Sequence, residues 1–176
     1  GVYVTEIRPN DVSREGVYGT ADDYMECIEV VNTTNQDIDL NNDYQVMYFV
    51  KEGSRKVLPL SHYDETKESN IGSSEGCIVP AGKTAVLWCY RINSLKGYTR
   101  FPSEQEFREA YRISSDVPVY IFTNQNGMNN TNRSVEIYKK QEDNSKKLVS
   151  YYCYVGNSDC KDNKSAELMV NPEGPE

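Results

Sequence analysis

His62 is the sole histidine of this 176-residue chain, and it lies in the polar stretch Arg55 to Gly76. A nucleophilic triad needs a histidine between a serine and a fixed acid, with an oxyanion hole nearby. No motif supplies those other parts, so His62 reads as a loop histidine. Carboxylates occur in adjacent pairs, Asp22 with Asp23 and Glu104 with Glu106. Glycoside hydrolysis needs two acids placed across a cleft, and nothing in the sequence identifies such a pair. Asp39, Asn41 and Asp43 copy the first ligand positions of a calcium loop. That loop then requires glycine and glutamate where Tyr44 and Val50 stand, so the match fails. Asn157, Asp159, Asp162 and Asn163 form a second polar cluster, read as a solvated turn.

Cysteines number five: Cys27, Cys77, Cys89, Cys153 and Cys160. They form no CxxC pair and have one histidine for company, which argues against structural zinc. Cys27, Cys77 and Cys89 fall in apolar strand patterns, where a free thiol packs as a small hydrophobe. Cys153 and Cys160 flank a turn-like segment and are close enough in sequence to be bridged. The odd count leaves at least one thiol unpaired in a monomer. The residues therefore call for no catalytic set, no metal and no cofactor.

Two groupings suit binding rather than catalysis. Lys139, Lys140, Lys146 and Lys147 flank one hairpin turn, with Arg133 nearby. Such lysines commonly blunt sheet edges and tips, and the net charge of −8 with a pI near 4.8 repels phosphate backbones. Nucleic acid is an improbable partner on that ground. Tyrosines number 14 against 4 phenylalanines. Tyrosine suits exposed strand faces and wet contact surfaces, since one end is apolar and the other polar. Trp88, Tyr90, Tyr98, Tyr111, Tyr120, Tyr151, Tyr152 and Tyr154 are candidates for a flat aromatic platform facing a glycan. The competing reading is cross-strand packing. Tyr152 and Tyr154 share one strand face, opposite Tyr151 and Cys153.

The elements that must position these residues are mostly strands. Ile28 and Val30 share one face of an extended run, and Glu29 projects from the other. Asn32 to Gln36 are turn formers, after which Ile38 and Leu40 alternate with Asp37 and Asp39. Val2 to Ile7, Tyr44 to Lys51, Thr84 to Tyr90, Pro118 to Thr123, Ser134 to Lys140, Lys147 to Val155 and Ala166 to Val170 read as further strands. Val46, Tyr48 and Val50 oppose Met47 and Phe49, so that strand has two apolar faces and should be central. Pro80-Ala81-Gly82 is a tight turn. Ser103 followed three residues later by Glu106 fits a capping box, which predicts one short helix from Ser103 to Tyr111. Arg55 to Gly76 reads as a long, mobile surface excursion with few anchors: Val57, Leu58 and Leu60. The segment Asn93 to Ser115 reads as an insertion docked through Tyr98, Phe101, Phe107 and Tyr111.

Strands separated by turns, with one helix, indicate an all-β sandwich. Ile28, Val30, Val86 and Val135 are expected in one core. A single domain over residues 1–170 is expected, and residues 171–176 read as the start of a linker. No apolar run approaches the ~20 residues that cross a bilayer. Gly1 running straight into a strand pattern suggests an excised domain whose leader and neighbours are missing.

Four pieces in this order, VTEIRPN, CIEVVNTTNQDIDL, VPAGKTAVLW and NGMNNTNRSVEIY with a Tyr-rich strand after it, carry a family likeness. Together they resemble the lamin-tail domain, an immunoglobulin-like β-sandwich, and most closely its bacterial versions in secreted multidomain proteins. The likeness spans nearly the whole chain. It implies that Glu29 and Asn32 are structural motif residues. The helix-bearing stretch FPSEQEFREAY resembles a subgroup attached to metallophosphoesterases or nucleases. The resemblance implies a non-catalytic accessory or interaction module, extracellular or at the cell surface. It would bind a cell-envelope protein or glycan, or position a neighbouring catalytic domain. The alternative is a domain that completes the substrate cleft of such a hydrolase. Tyr98, Phe101, Tyr111, Tyr152 and Tyr154 are the expected contact residues. The N-x-S/T sequences at Asn32, Asn129, Asn132 and Asn163 matter only in a eukaryotic secretory pathway, against which the bacterial likeness argues.

Overall fold

The computed structural model describes residues 1–9, 24–51, 54–90, 100–124, 127–128, 133–154 and 166–167. In chain order the first strands are β1 (Val2–Arg8), β2 (Cys27–Asn32), β3 (Ile38–Asp39), β4 (Tyr44–Lys51) and β5 (Ser54–Val57). Then come β6 (Ile78–Val79), β7 (Thr84–Cys89) and the helix α1 (Glu104–Tyr111). The chain continues with β8 (Val119–Phe122), β9 (Arg133–Lys140), β10 (Lys146–Tyr154) and β11 (Ala166–Glu167). Sheet I has five strands in the order β11-β1-β2-β7-β8, and sheet II has four in the order β10-β9-β4-β5. β3 and β6 pair separately.

The two sheets form a β-sandwich because their inner faces share one apolar core. Sheet I contributes Val2, Val4, Ile7, Ile28, Val30, Ala85, Leu87 and Cys89, and sheet II contributes Val46, Tyr48, Val135, Ile137 and Tyr154. Period-2 alternation delivers each set to one side of its strand. β1 departs from strict alternation: a bulge between Val4 and Glu6 turns Ile7 to the same side as Val2 and Val4. The Val4 N–H there donates to Ser150 Oγ on β10 at 3.1 Å, which ties the sheets together.

Sheet I is covered on its outer face as well. Met25, Cys27, Val86, Trp88, Tyr90, Val119 and Ile121 form a second apolar cluster with Phe107 of α1. Val86 therefore does not join the Ile28 core, contrary to expectation. Its neighbours Ala85 and Leu87 point inward, so alternation sends Val86, Trp88 and Tyr90 outward beneath the helix. α1 starts where the capping box placed it. Ser103 Oγ accepts from Glu106 N–H at 3.2 Å, and the Glu106 carboxylate accepts from Ser103 N–H at 2.8 Å. It ends at Arg112, which takes a left-handed conformation with φ of 56°.

β7 and β8 pair in parallel, the one departure from otherwise antiparallel neighbours among the described strands. A parallel pair needs a long crossover, commonly a helix. The stretch containing α1 is that crossover rather than an insertion between antiparallel strands.

Arg55 to Gly76 also differs from expectation. Its first residues lie in β5, Leu58 and Leu60 enter the main core, and Tyr63 and Ile71 pack on the second cluster. Ser61 and Ile121 exchange backbone hydrogen bonds of 2.9 and 2.8 Å along β8. Leu58 and Leu60 are the anchors expected, Val57 stays exposed, and the polar composition concealed Tyr63 and Ile71.

Candidate interaction site

The outer face of sheet II contrasts with that of sheet I. Direct register partners share a face, so its rows can be read across the strands. Leu148 of β10, Tyr138 of β9 and Gln45 of β4 make one row. Tyr151, Glu136, Met47 and Val57 make the next, and Cys153, Ser134, Phe49 and Arg55 the one beyond. Among the described residues, the exposed large apolar side chains are Val57 (40%), Leu148 (46%) and Tyr151 (54%), and all three lie on this face. Leu148 shares the face with Tyr151 because a bulge between Leu148 and Ser150 inserts an extra residue into β10.

Glu136 sits under the middle of this face, only 2% exposed. A buried carboxylate must be paired and hydrogen-bonded. Arg55 Nε donates to both of its oxygens at 3.0 and 3.2 Å, and Tyr138 OH donates to Oε2 at 2.6 Å. Arg55 reaches across β4 to do so, and its guanidinium carbon lies 5.6 Å from the Phe49 ring centroid. The bond to Glu136 pushes the Tyr138 hydroxyl pKa above its ordinary value, because the carboxylate holds the phenolic proton. These contacts fix Arg55 and Tyr138 on the face, with the Glu136 carboxylate buried beneath them.

The residues expected to make contacts are placed otherwise. Tyr98 lies outside the described residues. Phe101 and Tyr111 pack on the second cluster, and Tyr111 OH donates to the Met25 carbonyl at 2.7 Å. Tyr154 is 1% exposed in the main core, and Tyr152 packs partly buried against it. The solvent side of β10 therefore carries Tyr151 and Cys153, since the Tyr152 and Tyr154 side faces sheet I. The aromatic platform disperses in the same way: Trp88, Tyr90 and Tyr120 are buried.

Glu29 and Tyr111 do meet, lining a small cavity with Glu6, Arg8, Cys27, Val86 and Ile113. Its charged groups each have a partner. Arg8 pairs with Glu6 at 2.7 Å and lies over the Tyr111 ring at 4.7 Å, and Thr5 Oγ1 donates to Glu29 at 2.6 Å. Burial pushes the Cys27 thiol pKa far up, which keeps it protonated and a poor nucleophile.

Asn32 staples a corner. Its amide donates to the Gln36 and Val79 carbonyls at 2.7 and 3.0 Å, while its oxygen accepts from Thr34 N–H at 2.9 Å. Asp39 accepts from the Asn41 and Asn42 N–H groups at 2.8 and 2.9 Å, so it shapes a turn. His62 Nε2 lies 3.0 Å from the Glu75 carbonyl, within hydrogen-bond reach, and the ring meets Tyr120 edge-on. Cys153 is a free, exposed thiol, and Cys160 lies outside the described residues. Among the described residues no helix is long and apolar enough to cross a membrane.

Sequence reasoning passed over Glu136 and Arg55. The available signal was β4 itself, whose second apolar face, Met47 and Phe49, has to meet something. Comparison of the chain with protein-family models, curated proteins and solved structures finds no match.

Proposed function

We propose that this chain is a non-catalytic interaction module, and that it contacts a protein partner through the outer face of sheet II. The observation that carries this reading is the convergence of Val57, Leu148 and Tyr151, exposed, on the one face that also presents Met47, Phe49, Tyr138 and Arg55. Tyrosine, phenylalanine, methionine and arginine are the types enriched at protein interfaces. The aliphatic share of the patch favours protein over glycan, because sugar platforms rely on aromatic faces and polar groups. The internal pairing of Glu6, Arg8, Glu29 and Glu136 supports a structural rather than catalytic use of those charges.

The likeness to bacterial lamin-tail domains supports an exported, multidomain setting. The partner is then a neighbouring catalytic domain or a protein of the cell envelope. A photocrosslinking residue at Tyr151 or Leu148, expressed in the source cell, tests the contact face, with exposed Gln105 on α1 as control. The expected result is one discrete protein adduct, or an intramolecular crosslink to another domain, from both test positions and not from the control. A glycan adduct, no adduct, or the same adduct from Gln105 overturns the reading.

A further inference from the structure

β10 is an edge strand, and the other sheet edges are blunted. Among the described residues it pairs with β9 on one side and with no strand on the other. By contrast, β8 is met along its outer edge by Ser61, and β11 spans two residues. β5 spans four residues. Its Lys56, in register with the core residue Tyr48, turns inward and donates to Asn124 Oδ1 at 3.1 Å. Short edges, covered edges and inward-pointing charges are the usual guards against strand addition. On the nine residues of β10 the guards sit in the first part: Lys146, Lys147 and the bulge between Leu148 and Ser150. Ser150 to Tyr154 is uncharged and rich in tyrosine, a good strand former.

Backbone groups of an antiparallel strand point alternately to one neighbour and to the other. Lys140 N–H donates toward β4, to the Asp43 carbonyl at 2.9 Å. Gln141 N–H donates the other way, to the Ser145 carbonyl at 2.9 Å beside β10. Counting back along β9 from these two, Glu136 and Ser134 face β4. Their register partners on β10, Tyr151 and Cys153, therefore point N–H and C=O away from β9. Both residues are exposed.

We propose that this edge pairs antiparallel with the same edge of a second copy of the chain, about a twofold axis at Tyr152. The register that uses both outward residues puts Tyr151 opposite Cys153 of the second copy. Each such pair then exchanges both of its backbone hydrogen bonds. The stretch suits itself as a partner, because a twofold joint brings the same residues from both sides and this run carries no charge. Antiparallel pairing also sends Lys146 and Lys147 of the two copies to opposite ends of the joint, so cation does not oppose cation. The exposed Leu148 and Tyr151 of both copies then share one continuous face, since those side chains lie on the outer side of sheet II. The joint uses backbone at the edge, whereas the contact proposed above uses side chains on the face, so neither rests on the other.

Sedimentation velocity of the purified full chain, under reducing conditions, tests it first. A monomer–dimer equilibrium is expected as concentration rises toward about 1 mM. Over the same range, amide exchange read by NMR should slow about tenfold at Tyr151 and Cys153, and stay unchanged at Arg55 on the opposite edge. Cys153→Pro removes one outward N–H without touching a bond to β9, at a kind of edge position where strands accept proline. That variant should stay monomeric, with its fold checked by Trp88 fluorescence and circular dichroism. If it does not fold, exchange on the unmodified chain decides alone. A chain that is monomeric up to about 1 mM overturns the proposal. So does a dimer whose Tyr151 and Cys153 amides exchange as fast as in the monomer, or a dimer that folded Cys153→Pro forms equally well.

Discussion

The two sheets of this molecule present opposite solutions to the same problem, an outer face with apolar groups on it. On sheet I the solution is a lid. Trp88 stacks on Phe107 of α1 with ring centroids 4.5 Å apart, meets Tyr90 edge-on at 5.0 Å, and stacks against Tyr63 at 6.0 Å. Water is excluded, and the aromatic payload becomes stability. On sheet II the solution is a brace. Glu136, Arg55 and Tyr138 satisfy one another, and Met47 and Phe49 are half shielded while Leu148, Tyr151 and Val57 stay open. A polar network under an open face keeps it ordered without covering it. The comparison teaches that α1 and its crossover complete a core, while the face proposed for contact lies on the far side of the sandwich.

The largest effect that sharpens this contrast should come from the lid. Phe107→Ala removes a fully buried ring and should cost about 3–5 kcal/mol. Denaturant unfolding followed by Trp88, the single tryptophan, measures it directly. A loss under about 1 kcal/mol would mean that sheet I does not depend on its lid, and the comparison would collapse.

A smaller effect is expected from acid. The Arg100 guanidinium, aided by Ser103 N–H, pulls the Glu106 carboxyl down to about 2 from an ordinary 4.5. A depressed folded-state pKa stabilises above the unfolded value and loses that contribution as pH falls through the folded one. The lid should therefore weaken between pH 4.5 and about 2. Glu106→Gln should be the less stable protein at about pH 6, and its gap from the unmodified chain should close on acidification toward about pH 2. A gap that stays constant over that range would show that the carboxylate does not hold the helix start.

The smallest effect should come from the open face. Tyr151→Ser and Leu148→Ser, at 54% and 46% exposure, should each change stability by no more than ~0.5 kcal/mol. A cost above ~2 kcal/mol would mean that this face is packed in the isolated chain.

Much of the fold was legible locally. Alternation located Ile28 with Val30 and Val135 with Ile137, and each pair lies fully buried in the main core. The Ser103–Glu106 box marked Ser103 as the cap from which the helix Glu104–Tyr111 starts. The candidate face was far less legible. Tyr152 and Tyr154 were rightly paired on one side of β10, yet nothing local tells which side meets another sheet. The bulge that aligns Leu148 with Tyr151 leaves no mark in the residue types. Nothing in the sequence singled out Glu136, since its partner Arg55 is two strands away in a stretch that looks like loop. The parallel pairing of β7 with β8 was within reach, because a helix between two strands is the usual crossover, but the helix was read as an insertion.

The sequence by itself determined period and punctuation: which residues alternate, where turns fall, and where a helix is capped. Those follow from backbone geometry and contacts within a few residues. Only the tertiary structure decided sidedness. It sent Trp88 beneath a lid and Tyr154 into the core, and it left Tyr151 in the open. A strand's two faces are locally equivalent until another layer packs against one of them, and that layer comes from distant sequence.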